Sequence, residues 1–600
     1  MDLRTLRLAA RAPLPLLLLV VLTGGATAQD AVRYTVALED PAERVFRVTA
    51  EFPALGEELH ASLPRWTPGS YDLENYARNV RGFAAEDGTG RTLEWDRLDP
   101  DTWRVRTAGA DVARLSFEVY ADSLDLDKSK IFDDFAFFNG TNLFPYEEER
   151  TGRPAELTLE LPEGWQVATG LSESAPMRFT AASYDDLVDA PTFLGRFQLD
   201  RFTAGGKPAR LAVYPVDAFT EPQRARLRQA LDRILTVQNA IVGAAPYDSY
   251  TTLIYVGEAS FAGGLEHANS HFDVLPPQVA EGFDSALPIV QSLLAHETFH
   301  LWNVKRIRPA AMWPYEYDQW QPTELLWFSE GVTDYYADLT VVRAGLFSPE
   351  QFFGEIAGNL GEVAGQPASV AVEDASLATW IDPTWGDQYI YYPKGSLVGL
   401  LLDLRIRSAS GNARSLDDVV RELYSDFYAR GRGFTTADLL RLLEEAGDTD
   451  VDDFYARYVT GREPLPVEAT LALAGLRVER RELRVPVLGL AGGTGPDGRV
   501  VVQSVVPGSP AADAGVGPGD LLLAVGEVEV GADPAWGERF RALYAERPGA
   551  RIPMRIVREG REQLLEVAIE VQTQTAFGVS RDPSASAAAR VILDDLLDAD

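Results

Sequence analysis

The motif His296-Glu297-Thr298-Phe299-His300 constrains this chain more than any other feature of its sequence. Histidines four residues apart lie on one face of an α-helix, so both imidazoles can reach the same metal ion. Because the chain has only five histidines, chance would produce such a motif in about one of several hundred shuffled sequences. Glu297 lies where a general base for a water molecule at the metal is expected. The pattern therefore predicts a metal-binding helix.

The residues around the motif support a buried helix over residues 285–304. Pro288 is expected in its first turn, where a missing backbone N–H costs little. Apolar side chains recur around the motif with helical spacing and predict one buried stripe: Ile289, Val290, Leu293, Leu294 and Leu301. Two histidines that merely pack in a core, each bonded to a backbone carbonyl, are the alternative.

A third metal ligand must be a histidine or a carboxylate, because the chain has no cysteine. Glu330, on a second predicted helix, is the best candidate. Asp334 follows one turn later and can accept the free ring N–H of a ligand histidine, which orients the ring. The alternative is a solvated helix face, but flanking aromatic residues favour burial. His267 and His271 are expected to have structural roles rather than to bind the metal.

The first 28 residues read as a secretory signal peptide. Three arginines precede an apolar run over residues 14–22, and Ala26-Thr27-Ala28 provides a small-residue cleavage site. The run is shorter than a bilayer-spanning helix. We expect a bacterial protein that is exported to the periplasm or secreted, with no stable membrane span after cleavage. An uncleaved membrane anchor is the alternative.

Charge and hydrophobic periodicity indicate the broad class and its domains. A net charge of -35 opposes general binding to nucleic acid. The patterning predicts a multidomain α+β chain with a β-sandwich over residues 29–205, because strand-like alternation changes to helical spacing near Glu221. The remaining segments are a catalytic domain over 206–410, its helical part over 411–469, a module over 470–572 and a mobile acidic tail over 573–600. Helices are expected over 224–242, 285–304, 325–344, 395–408, 416–429 and 436–446.

The motifs resemble those of known families. The strand, small-residue helix and Gly-Asp turn between Val500 and Gly526 are similar to a bacterial PDZ domain. Its segment Val487–Leu490 would accept a peptide C-terminus by β-augmentation. The metal motif with Glu330 and Asp334 resembles the gluzincin peptidases, which share a thermolysin-like catalytic domain. More narrowly, residues 296–309 and 64–71 resemble motifs of the M61 glycyl aminopeptidases, and this resemblance extends over residues 31–572. It implies one Zn²⁺ per chain, bound by His296, His300 and Glu330.

The resemblance also implies roles for two further motifs. Gly263-Gly264-Leu265-Glu266-His267 is similar to the G-x-M-E-N strand of related aminopeptidases, in which the glutamate binds the substrate's α-ammonium group. Glu266 is the corresponding residue, although His267 replaces the asparagine. Tyr392-Pro393-Lys394-Gly395 is similar to a Y-x-K-G motif whose tyrosine hydrogen-bonds the oxyanion. Tyr391 is the alternative donor.

These inferences lead to one hypothesis with two alternatives. The chain is expected to be a zinc aminopeptidase that removes small N-terminal residues such as Gly or Ala from peptides, with Glu297 assisting the attack of water. A zinc endopeptidase that uses the same site is the first alternative. A non-catalytic PDZ adaptor or chaperone is the second.

Overall fold

The computed structural model describes residues 31–54, 56–257, 262–366, 370–381, 387–494, 499–531 and 535–598. The expected signal peptide lies outside these ranges. The described part consists of an N-terminal β-domain, a mixed α/β catalytic region and a C-terminal β module, as the α+β prediction requires. No helix within these ranges has the length and apolar composition of a membrane span.

The N-terminal domain is built from one large mixed sheet and two smaller sheets. Strand Val32–Ala37 lies inside the large sheet, parallel to Ala155–Glu160 and antiparallel to Val45–Pro53. Alternate side chains of the central strands are buried, which explains their period-two sequence pattern. The seven strands run in the order Ser172–Ala175, Arg178–Ala181, Ala155–Glu160, Val32–Ala37, Val45–Pro53, Val112–Tyr120 and Val80–Asp87. The smaller sheets contain Gln166–Thr169, Thr192–Gly195, Phe135–Phe138 and Lys130–Ile131, and Glu58–Ser62, Thr102–Arg106 and Trp95–Arg97.

The catalytic region pairs a five-stranded sheet with a group of helices. The sheet order is Gln198–Ala204, Lys207–Tyr214, Tyr250–Val256, Ser270–Leu275 and Gly263–Glu266. Gly263–Glu266 is therefore an edge strand, antiparallel to Ser270–Leu275. The helices are Glu221–Val242, Pro277–Glu281, Phe283–Phe299, Val332–Arg343, Pro349–Gly365, Val372–Ala378, Pro393–Ala409, Leu416–Asp426, Thr436–Ala446, Val451–Tyr458 and Val467–Leu471.

The helix that carries the metal motif differs from its prediction at both ends. It spans Phe283–Phe299, so Pro288 lies inside the helix rather than in its first turn. The chain turns after His300, and His300 Nδ1 lies within hydrogen-bond distance of the carbonyl oxygen of Asn303. The second predicted helix begins as a π-helical turn, Trp327–Gly331, and continues as Val332–Arg343. Such turns are rare and concentrate at functional sites.

The C-terminal module has its own apolar core. Its sheet runs in the order Leu490–Thr494, Val500–Val505, Leu521–Val525, Arg551–Arg558 and Arg561–Ala568, and Val528–Glu529 pairs with the third strand. Helix Trp536–Tyr544 contributes Phe540 and Tyr544 to the core. A long ribbon of Leu476–Val487 and Glu570–Arg581 joins this module to the catalytic region.

The prediction of a mobile tail over residues 573–600 is wrong. Residues 573–581 belong to the ribbon strand, and Ala587–Leu597 forms a helix. That helix buries Ile592, Leu593 and Leu596 in the main core, where burial of apolar surface stabilises it. The abundant Ala, Ser and Asp residues of this segment obscured a short stripe of apolar residues at helical spacing.

Candidate active site

The structure brings His296, His300 and Glu330 together around one point. The Nε2 atoms of the two histidines are 2.8 Å apart. Glu330 Oε2 lies 3.3 Å from His300 Nε2 and 3.6 Å from His296 Nε2. Tetrahedral zinc with bonds of about 2.0–2.1 Å places its ligand atoms about 3.3 Å apart. The donor set and its spacing therefore fit a zinc ion.

The other ring nitrogen of each histidine is also engaged. His296 Nδ1 lies 2.7 Å from Asp334 Oδ1, as the sequence predicted for this carboxylate. His300 Nδ1 lies 2.6 Å from the carbonyl oxygen of Asn303. These contacts orient both rings with Nε2 toward the common point. Sequence reasoning missed Asn303, although it lies in the family-like segment directly after the metal motif.

Glu297 lies beside the three candidate ligands. Its side chain is buried and lines a cavity of about 810 Å³, and its Oε2 has no hydrogen-bond partner among the described residues. Burial, reinforced by Asp273, Glu266 and Glu330, raises its pKa well above 4.5, although His296 opposes that shift. A carboxylate in this environment is well suited to take up a proton.

The glycine-rich edge strand packs directly against the side chain of Glu297. A Cβ atom on Gly264 would lie 2.4 Å from the carboxyl carbon of Glu297, so the glycine permits this close approach. Gly263 also lines the cavity, and Glu266 ends the strand. A ligand atom of Glu266 lies within 4.8 Å of ligand atoms of Glu297 and His300. The strand therefore holds Glu266 beside the metal-binding residues.

Glu266 occupies a closed end of the cavity. It is only 4% exposed, and its Oε1 has no hydrogen-bond partner among the described residues. The loop of residues 64–71 from the N-terminal domain packs directly against it, because a Cβ atom on Gly69 would lie 2.7 Å from the Glu266 carboxylate. Lys305 Nζ lies 3.8 Å from Glu266 Oε1 and 3.1 Å from the carbonyl of Pro68.

Lys305 belongs to a buried group of charges behind this closed end. Its Nζ lies 3.0 Å from Asp189 Oδ1, and His267 Nδ1 lies 2.9 Å from the same oxygen. Burial raises the pKa of Asp189, but Lys305 and His267 together hold it well below 3.8. Burial lowers the pKa of His267, which favours its neutral form. Lys305 thus lies near two carboxylates, those of Asp189 and Glu266. Because one lysine balances only one of them, Glu266 leaves the three residues with a net negative charge.

His271 and the basic residue Arg306 have structural contacts. His271 Nδ1 lies 2.9 Å from the hydroxyl of Tyr250 and its Nε2 lies 3.3 Å from Asp273 Oδ2. Neither His271 nor His267 belongs to a candidate metal-binding group among the described residues. Arg306 donates hydrogen bonds to backbone carbonyls of Ala268, Leu301 and Pro246. Among the described residues of this basic segment, Lys305 pairs with a carboxylate close to the site.

The two candidate oxyanion donors both line the cavity. The ring of Tyr392 lies 6.2 Å from that of His296, whereas Tyr391 is almost fully buried beside Tyr392. Burial and the negative charge of Glu330 raise the pKa of Tyr392 well above 10, so its hydroxyl keeps its proton. This geometry favours Tyr392 as the donor.

One apolar prediction fails at the cavity. Ile289 was expected in the buried stripe of the metal-binding helix, but it is 66% exposed and lines the cavity. Val290, Leu294 and Leu301 are buried as expected, and Leu293 is half-buried. The stripe therefore faces both the core and the cavity. The periodicity of apolar residues does not distinguish these two environments.

Comparisons with known proteins agree with this architecture. Residues 33–196 match the Peptidase M61 N-terminal domain, residues 290–398 match the M61 glycyl aminopeptidase domain, and residues 474–569 match a PDZ domain. No curated protein sequence matches the chain significantly.

The fold is shared with a solved structure, and a second one is less similar. An aminopeptidase N family protein from Idiomarina loihiensis superposes with a TM-score of 0.78 and 24% sequence identity, over 94% of this chain and 100% of that one. An M1 zinc metallopeptidase from Deinococcus radiodurans gives a TM-score of 0.47 and 14% identity, over 73% of this chain and 95% of that one.

Proposed function

Since this chain carries the N-terminal and catalytic domains of the M61 peptidases and is a metallopeptidase, we propose that it is a zinc aminopeptidase. The observation that carries the proposal is the closed end of the cavity at Glu266. A buried carboxylate beside the metal-binding residues can bind the α-ammonium group of a peptide. The loop that carries Gly69 packs against Glu266 at this end of the cavity, which supports binding of a chain terminus there. An endopeptidase would need room for a peptide that continues past Glu266.

The metal would be held by His296, His300 and Glu330, with one ion per chain. When bound, Zn²⁺ supplies Lewis acidity that polarises the scissile carbonyl and lowers the pKa of water. The hydrogen bonds to Asp334 and to the Asn303 carbonyl keep the two imidazoles in place for that task. The absence of cysteine restricts the donors to nitrogen and oxygen, a set that zinc accepts.

Glu297 would serve as the general base and then as the general acid. Its carboxylate takes a proton from the attacking water and returns it to the leaving amine. Burial raises the pKa of Glu297, which makes its carboxylate a stronger base toward the attacking water. Tyr392 would donate a hydrogen bond to the oxyanion as the carbonyl becomes tetrahedral.

Substrate preference and location complete the proposal. The match to the glycyl aminopeptidase domain supports a preference for small first residues such as Gly or Ala. The PDZ match supports binding of a peptide C-terminus along the edge strand Leu490–Thr494, which begins at the last residue of the predicted segment 487–490. We also propose export to the periplasm or secretion, on the signal-like sequence of residues 1–28. Cell fractionation tests the location, and the mass of the N-terminal peptide of the mature protein tests cleavage of the signal segment.

The decisive assay compares peptides that have a free N-terminus with the same peptides after N-acetylation. We expect hydrolysis only of the free peptides, abolished by a chelator and restored by zinc. The Glu297→Gln variant should lose about 10²–10⁴-fold in activity, and Glu281→Gln, at an exposed glutamate on the preceding helix, serves as its matched control. Equal cleavage of acetylated peptides would establish an endopeptidase, and no chelator-sensitive cleavage would favour the adaptor alternative.

A further inference from the structure

Tyr71 connects the N-terminal domain to the candidate metal centre. Its hydroxyl donates a 2.6 Å hydrogen bond to Glu330 Oε1, across 259 residues of sequence. Glu330 Oε2 is the oxygen that faces both histidines. The two oxygens of one carboxylate thus have separate partners, a tyrosine on one side and the metal position on the other.

The loop that presents Tyr71 is held firmly. Tyr71 has a φ of 51°, a left-handed conformation that a non-glycine residue keeps only when its surroundings enforce it. Its ring packs against Trp380, which in turn packs against Trp66. Trp66 Nε1 donates a 2.8 Å hydrogen bond to the carbonyl of Glu316. These contacts fix the loop against the catalytic region and aim the hydroxyl at Glu330.

From this geometry we infer that Tyr71 is a positioning residue for the metal ligand Glu330. By holding Oε1, the hydroxyl makes Glu330 a ligand through Oε2 alone and leaves a coordination position open for substrate chemistry. The metal site is therefore completed by the N-terminal domain. The inference rests on the proposed zinc site but not on the identity of the substrate.

The test compares Tyr71→Phe with Tyr335→Phe in the full-length protein. Tyr335 is an equally buried tyrosine with an equal 2.6 Å hydrogen bond, to Asp403 rather than to a metal ligand. Loss of an outer hydrogen bond to a metal ligand weakens metal affinity by about 10–100-fold. We expect that loss for Tyr71→Phe, measured by competition with a chromophoric zinc chelator, and no comparable loss for Tyr335→Phe.

X-ray absorption spectroscopy of the zinc-loaded proteins provides a second readout. We expect one carboxylate oxygen from the protein in the parent, and a longer or two-oxygen carboxylate contact in Tyr71→Phe. Unchanged affinity and an unchanged spectrum in a folded Tyr71→Phe variant would overturn the inference. A bidentate carboxylate in the parent would also overturn it, even if the variant fails to fold. A parent that binds no zinc would instead refute the proposed function.

Discussion

Replacement of Glu266 by glutamine tests how the closed end of the cavity recognises a substrate. The variant keeps the size of the side chain and removes its charge. Lys305 retains Asp189 at 3.0 Å and the Pro68 carbonyl at 3.1 Å, so the fold should lose little stability. A hydrogen bond to a charged group contributes about 1.5–3 kcal/mol. At about 1.4 kcal/mol per factor of ten, kcat/KM should fall by about 10–150-fold.

The assay uses alanyl anilide and its analogue without the α-amine. Glu266→Gln should impair hydrolysis of the alanyl compound and leave the slow hydrolysis of the analogue nearly unchanged, because only the first substrate places an ammonium group near Glu266. Thermal unfolding of both proteins controls for stability. Equal losses on both substrates would refute the assignment of Glu266 to the amine, since the variant would then be disturbing the site as a whole.

Four further substitutions probe other parts of the account. Glu297→Gln should lower kcat by about 10²–10⁴-fold without loss of bound zinc, as measured by metal analysis, because the general base is removed. Tyr392→Phe should lower kcat by about 10²–10³-fold, whereas a larger loss in Tyr391→Phe would transfer the oxyanion role to that residue. The pKa of Asp189 is lower in the folded chain than in the unfolded one, so the folded state binds fewer protons and stability falls as acid is added below about pH 5. Asp189→Asn should make urea-unfolding free energies less dependent on pH in that range, and an unchanged slope would contradict this linkage.

The sequence was most informative where chemistry depends on local spacing. The four-residue interval between His296 and His300 predicts a shared helix face, and Glu330 and Asp334 have the same interval on the next helix. Both pairs meet at the metal centre. Local signals also set helix starts. Thr220 and Gln223 form a capping box that starts the helix at Glu221, three residues before the predicted start.

The sequence did not predict the contacts that Tyr71 and Lys305 make with distant segments of the chain. Nothing in the spacing of Tyr71 indicates that its hydroxyl meets Glu330, although its segment was recognised as family-like. The pairing of Lys305 with Asp189 likewise depends on how two domains pack together. The sequence also did not predict the exposure of Ile289. This residue follows the apolar period of its helix, but it faces a cavity instead of the core.

The central claim is that two histidines and one distant glutamate bind a single zinc ion. Its most direct test is an anomalous difference map, recorded at the zinc absorption edge, from crystals of the zinc-loaded protein. The account predicts one strong peak within bonding distance of His296 Nε2, His300 Nε2 and Glu330 Oε2. A peak bound by other residues, or no peak among these three, would contradict it.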